Sequence, residues 1–147
     1  MSTIRKITGQ DKREVMDMMR VFYASPVVLT CGTDEIFESN VDSCVEGSPF
    51  LEGYVFEEAG IIQGYAMIAR SFSTELGKPC VWLEDLYIKS EYRSLGLGKD
   101  FFEFVERLYP DAIFRLEVDT GNERAIRLYE KCGYETVPYL EMRKSAE

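Results

Sequence analysis

Apolar and polar residues alternate with two different periods along this chain, and the changes of period mark out the elements. Residues 3–7 alternate as a short strand, and Thr8 with Asp11 three residues on is a cap for the helix that follows. In that helix Val15, Met18, Met19 and Phe22 fall at i, i+3, i+4 and i+7, and it should end near Ala24 because Ser25 precedes Pro26. A second helix starts at Thr33 with Asp34 and Glu35 in its first turn. It carries Phe37, Val41, Cys44 and Val45 on one face and is stopped by Gly47-Ser48-Pro49. Strands are expected over 50–58 and 61–72, joined by Ala59-Gly60, and over 80–88 after the turn 75–79. A helix from Gly96 or Leu97 to Tyr109, a strand over 113–118 and a helix over 122–132 come next, and two final strands over 133–137 and 139–143 are separated by Pro138. The predicted order is β-α-α-β-β-β-α-β-α-β-β. That is an α/β chain with a central mixed sheet flanked by about four helices, and it shows no internal repeat or linker.

The strand over 80–88 places Trp82, Glu84, Leu86 and Ile88 on one parity and Val81, Leu83, Asp85 and Tyr87 on the other. After a polar turn come Arg93, Gly96 and Gly98, and then an amphipathic run through Leu97, Phe101, Phe104, Val105 and Leu108. Strand, glycine loop and helix in this order present unpaired backbone N–H groups at the positive end of a helix, a site for phosphate oxygens. Glycine at 96 and 98 lets a diphosphate approach those donors and permits a left-handed backbone. A Walker A loop is excluded because Gly98-Lys99 is followed by Asp100 rather than Ser or Thr. A dinucleotide loop fits poorly because Phe101 occupies the third glycine position.

Arg93-Ser94-Leu95-Gly96-Leu97-Gly98 instead resembles the acyl-CoA pyrophosphate loop of the GCN5-related N-acetyltransferases (GNATs), Arg-x-x-Gly-x-Gly. Asn122-x-x-Ala125-x-x-x-Tyr129, with Gly133-Tyr134 beyond it, resembles that family's second signature, and the element order matches over essentially the whole chain. Leu83-Glu84-Asp85 leading into the loop is similar to the diamine N-acetyltransferases. Ser94 departs from the glycine commonest at its position in the family, although a small residue should be tolerated there.

The resemblance implies acetyl transfer from acetyl-CoA to a primary amine. An alkylamine has a pKa of about 10.4, so on the order of one molecule in a thousand is reactive at neutral pH, and a carboxylate must take its proton directly or through water. Glu84 is the expected base, and Tyr129 the expected acid for the departing thiolate. Backbone groups of Leu86, Tyr87 and Ile88 would hold the pantetheine amides as a strand would. Residues Ser94, Leu95, Gly96, Leu97, Gly98 and Lys99 would hold the pyrophosphate, with Arg93 adding positive charge. Asn122 and Ala125 would lie along the pantetheine arm, with Asn122 also capping its helix. Tyr23, Glu84, Asp85 and Tyr139 are the expected acceptor contacts. The acceptor itself is expected to be a polyamine or another small cationic amine. Protein or peptide amines, aminoglycosides and amino acids stay open, as do a non-catalytic acyl-CoA-binding regulatory module and a nucleotide-binding module. By the same analogy a homodimer is expected, with Phe72, Trp82 and Tyr139 as aromatics for either core or interface; a monomer mass by light scattering would end that expectation.

Composition narrows the chemistry. A chain of 147 residues, 46% of them hydrophobic, is expected to form one domain with its own core. There is no histidine, which removes Ser-His-Asp and Cys-His machinery and the commonest ligand of catalytic zinc, so no metal is expected. The net charge of −9 disfavours nucleic acid and anionic membranes and suits a cationic substrate. No apolar run reaches the length of a membrane span and the N-terminus has no apolar h-region, from which a cytoplasmic protein is expected. Cys31, Cys44, Cys80 and Cys132 lack CxxC spacing and read as reduced, mostly buried thiols.

Overall fold

The computed structural model describes residues 2–146. Five strands, β1 (Thr3–Lys6), β2 (Leu51–Glu58), β3 (Ile61–Ser73), β4 (Lys78–Ile88) and β5 (Ile113–Leu116), form one sheet in sequence order. All neighbours are antiparallel except β4 and β5, which run parallel. The two helices α1 (Lys12–Tyr23) and α2 (Asp34–Glu46) precede β2, α3 (Leu97–Leu108) crosses from β4 to β5, and α4 (Glu123–Lys131) follows.

Helices cover both faces, so the sheet separates two apolar layers. Val15, Met18 and Met19 of α1 and Phe37 and Val41 of α2 pack on Val55, Tyr65 and Met67. Leu97, Phe101 and Val105 of α3 pack on Tyr54, Phe56, Ala66, Ile68 and Val81. The helix ends follow their predicted chemistry. The Thr33 hydroxyl accepts from the Ile36 N–H at 3.3 Å, and Gly47 closes α2 with φ 91°, a left-handed turn that suits glycine. The Thr8 N–H donates to Asp11 at 2.8 Å, but it caps a 3₁₀ turn (Gly9–Asp11) that leads into α1.

Two expectations need correcting. Residues 133–137 and 139–143 form no strand. Pro138 lacks an N–H, β5 stops at Leu116, and Leu140 and Met142 stand 87% and 86% exposed, so the segment alternates in sequence without a ladder to join. The parity of β4 also breaks. Asp85 pairs with Met67 and Leu83 with Ile68, which leaves Glu84 as an extra residue, a β-bulge. Val81 and Leu83 therefore share the α3 layer with Leu86 and Ile88, whereas Tyr87 packs in the α1–α2 layer. Among the described residues no helix is long and apolar enough to cross a membrane.

Candidate active site

The bulge and the end of β5 together open the site. β4 pairs with β5 only from Cys80 to Leu83, opposite Ile113 to Leu116, and beyond that point β4 keeps β3 as its neighbour and has none on its other side. Its N–H and C=O groups alternate between the β3 side and the open side. The Lys89 N–H donates to Gln63 at 2.9 Å on the β3 side, so Leu86 and Ile88 turn theirs toward the gap. The Ile88 carbonyl there accepts from Arg93 Nε at 2.8 Å. The Leu86 amide and carbonyl are left as an unpaired strand edge, the geometry a pantetheine amide requires.

This edge is one wall of a cleft of about 790 Å³ that runs from the bulge to the start of α3 and α4. Glu84, Leu86, Tyr87, Ile88, Arg93, Ser94, Gly96, Leu97, Gly98, Lys99, Asn122, Ala125 and Tyr129 all line it, so the structure gathers the expected base, acid and cofactor residues in one place. Tyr23, Asp85, Leu95 and Tyr139 do not line it. Leu95 points out at 66% exposure, and the Tyr139 hydroxyl donates to Glu75 at 2.6 Å on the β3–β4 turn. Phe72 and Tyr139 are exposed, so core packing accounts for neither.

At the α3 end, Gly96 has φ 86° and caps a helix whose first backbone bond runs from Asp100 to Gly96 at 2.9 Å. The N–H groups of Leu97, Gly98 and Lys99 have no partner within the helix. Ser94 sits at φ 64°, where an L-residue is strained, which explains why glycine suits that position. Its hydroxyl accepts from Arg124 at 3.0 Å and ties the loop to α4. A Cβ at Gly98 would meet Leu86 and Leu128 at an ordinary 3.7 Å, so crowding at that residue would come from a ligand rather than from the protein. Arg93 lies over the Tyr87 ring at 5.6 Å while it holds the end of β4. Asn122 accepts from the Ala125 N–H at 3.3 Å as the cap of α4.

The opposite end is acidic. Glu84 is open to the cleft, yet the surrounding protein desolvates its carboxyl and, with the charges of Asp85 and Glu141, raises its pKa. Glu117, which sequence reasoning missed, hydrogen-bonds Glu141 and is also desolvated, and its pKa is pushed up to about 7. Asp85 is buried on the other face of β4. Its two oxygens accept from the Tyr23 hydroxyl at 2.8 Å and the Tyr65 hydroxyl at 2.7 Å. Tyr129 packs edge-on to Phe102 at 5.8 Å, and burial raises its phenol pKa, which keeps it protonated as an acid must be. Among the described residues no cluster of His, Cys, Asp or Glu is placed to hold a metal.

The sequence profile of the Acetyltransferase (GNAT) family matches residues 15–134, which takes in β2 to β5, α2 to α4 and most of α1. The chain belongs to the GNAT family.

Curated GNAT relatives include the thialysine N-epsilon-acetyltransferases of Bos taurus, 36% identical over 75 residues, and Sus scrofa, 36% identical over 73 residues. These matches cover 49% and 48% of this chain and 44% and 42% of the relatives, so the chain spans under half the length of the relatives it matches. The fold is that of a possible acetyltransferase from Clostridium difficile 630, with a TM-score of 0.84 and 14% identity over 99% of this chain and 98% of that one. It is also that of an aminoglycoside N-acetyltransferase solved with CoA, with a TM-score of 0.82 and 12% identity over 99% and 95%. Missed contributors to the GNAT cleft are Val21, Phe22 and residues 25–27 on one wall and Arg124, Arg127 and Lys131 on another. The last three fall at i, i+3 and i+7, a spacing legible in the sequence.

Proposed function

We propose that this chain transfers an acetyl group from acetyl-CoA to the primary amine of a small cationic acceptor. The observation that carries the reading is the unpaired edge of β4 at Leu86, which runs between an end of the cleft rich in N–H donors and cations and an end rich in carboxylates. These residues fit a thioester with a diphosphate arm, and acetyl-CoA supplies the activated acyl group. Leu86 holds the amide arm, and Leu97, Gly98 and Lys99 hold the diphosphate through their N–H groups. At the bulge Glu84 accepts the ammonium proton, directly or through water, and a raised proton affinity suits it to that task. The amine nitrogen bonds to the acyl carbon, the carbon–sulfur bond breaks and Tyr129 gives its proton to the sulfur, while the second proton on the nitrogen leaves through water and restores the Tyr129 phenol. A small cationic acceptor agrees with the acidic end of the cleft and with relatives named for acetylating thialysine at its terminal amine.

The test is thiol release from acetyl-CoA with a panel of polyamines, thialysine, an aminoglycoside and a peptide. Glu84→Gln and Tyr129→Phe should each lower kcat by roughly 10²- to 10⁴-fold while the KM for acetyl-CoA stays within a few-fold. Turnover that both variants leave intact would remove these roles.

A further inference from the structure

The cations of the cleft outnumber what a diphosphate needs. Arg93, Lys99, Arg124, Arg127 and Lys131 all line it, in a chain with 17 basic residues against 26 acidic ones. Of the twelve cations outside the cleft, Arg5, Lys12, Arg20, Arg70 and Lys89 each have a carboxylate within 4.0 Å, and among the described residues the other seven form no such pair, so what distinguishes the cleft cations is that they are gathered in one place. Among the described residues no such pair involves Arg93, Lys99, Arg124 or Lys131, and Arg127 meets only the exposed Glu123, at 4.0 Å. Like charges held together without counter-charges repel one another, so the cluster is stabilised by whatever anion fills it.

Position divides the five into two groups. Arg93 is spent on the Ile88 carbonyl and Arg124 on the Ser94 hydroxyl, and both therefore brace the glycine loop. The helix N-terminus already offers donors to a bridge that carries one charge per phosphorus. Arg127 and Lys131 stand one and two turns further along α4, about 6 Å apart along its axis. The same part of α4 packs on the start of α3: Leu128 approaches Gly98, and Lys99 lies close enough to Cys132 to lower its pKa against the effect of burial. Lys99, Arg127 and Lys131 thus form a second positive cluster next to the loop. A phosphomonoester dianion, carrying about −1.5 to −2 at pH 7, matches it.

We infer that Lys99, Arg127 and Lys131 form a phosphomonoester subsite that reads the ribose 3′-phosphate of CoA and so selects CoA over 3′-dephospho-CoA. The inference rests on the acetyl-CoA reading above, and the experiment separates the two. Calorimetric titration of the full chain with CoA and with 3′-dephospho-CoA is compared between wild type and Arg127→Gln/Lys131→Gln, both exposed positions, with a circular dichroism spectrum matching wild type as the check that the variant folds. Wild type should prefer CoA by roughly ten- to a hundredfold, from charge-assisted hydrogen bonds to one phosphate. The double variant should lose that preference and still bind 3′-dephospho-CoA within about twofold of wild type. Equal affinities in wild type, a preference that survives in the variant, or equal weakening of both compounds overturns the subsite and leaves the acetyl-CoA reading standing. A wild type that binds neither compound overturns both.

Discussion

Removing one oxygen atom from Tyr65 tests how β4 carries a buried acidic residue next to its bulge. Asp85 is 3% exposed and Tyr65 fully buried, so the 2.7 Å bond between them has no solvent to replace it. Phenylalanine keeps the ring, and Tyr65→Phe therefore opens no large cavity and removes only the donor. A hydrogen bond to a charged group contributes about 1.5–3 kcal/mol, against about 0.5–1.5 kcal/mol between neutral partners. Tyr65→Phe should therefore cost about 2 kcal/mol at neutral pH. Tyr23→Phe should cost less, because Tyr23 is only partly buried and water can take over its 2.8 Å bond. In an Asp85→Asn background the cost of Tyr65→Phe should fall by about 1 kcal/mol, since the partner is then neutral. The pH dependence has a definite sign. Burial raises the Asp85 pKa by more than the two phenols lower it. The stability Asp85 contributes is consequently full below the ordinary carboxyl pKa and is lost as pH rises through the raised one. Loss of the Tyr65 donor raises that pKa further, so the gap between wild type and variant should widen as pH rises through the raised pKa. Urea unfolding followed by the single tryptophan, Trp82, measures all of this at two pH values. A Tyr65→Phe cost below about 0.5 kcal/mol at pH 7.5, or one that Asp85→Asn does not reduce, would refute the argument.

At Gly64 a Cβ would stand 2.4 Å from the Tyr87 carbonyl oxygen and 3.1 Å from the Ile88 Cα, both backbone atoms. Gly64→Ala should cost on the order of 1–3 kcal/mol and push the open edge of β4 out of line, so Tm and CoA affinity fall together; calorimetry showing wild-type CoA affinity would count against that edge as the cofactor wall. Under the proposed function, a cationic acceptor at the acidic end would compete with the proton on Glu117, whose pKa is pushed up to about 7. The KM for a diamine should drop between pH 6 and pH 8, a range in which the amine itself stays charged. Glu117→Gln should flatten that slope, and an unchanged slope would exclude Glu117 from the acceptor site.

Local chemistry makes the helices and the glycine loop before α3 legible in the sequence. Thr33, Gly47 and Gly96 each act at the helix end where their side chains, or the lack of one, suit the backbone. Pairing is not legible in the same way, because it depends on residues far away in the chain. Residues 139–143 alternate as well as any strand here, but β5 has ended at Leu116 and gives them nothing to join. Arg127 and Lys131 are visible as a helical stripe, yet only the facing position of Lys99 turns the stripe into a cluster. The same holds with greater consequence at Glu84. Trp82-Leu83-Glu84-Asp85-Leu86 reads as plain alternation, in which Leu83 and Leu86 fall on opposite faces. The register with β3 puts two residues between Leu83 and Leu86 on one face, and those two residues are both acids. One of them, Asp85, is then buried against two phenols, and the other is released into the cleft beside the open strand edge. A regular strand would have given the adjacent acids only an alternation of faces. The bulge gives them unequal surroundings, and it is those surroundings that suit Glu84, rather than Asp85, to exchange a proton with a ligand.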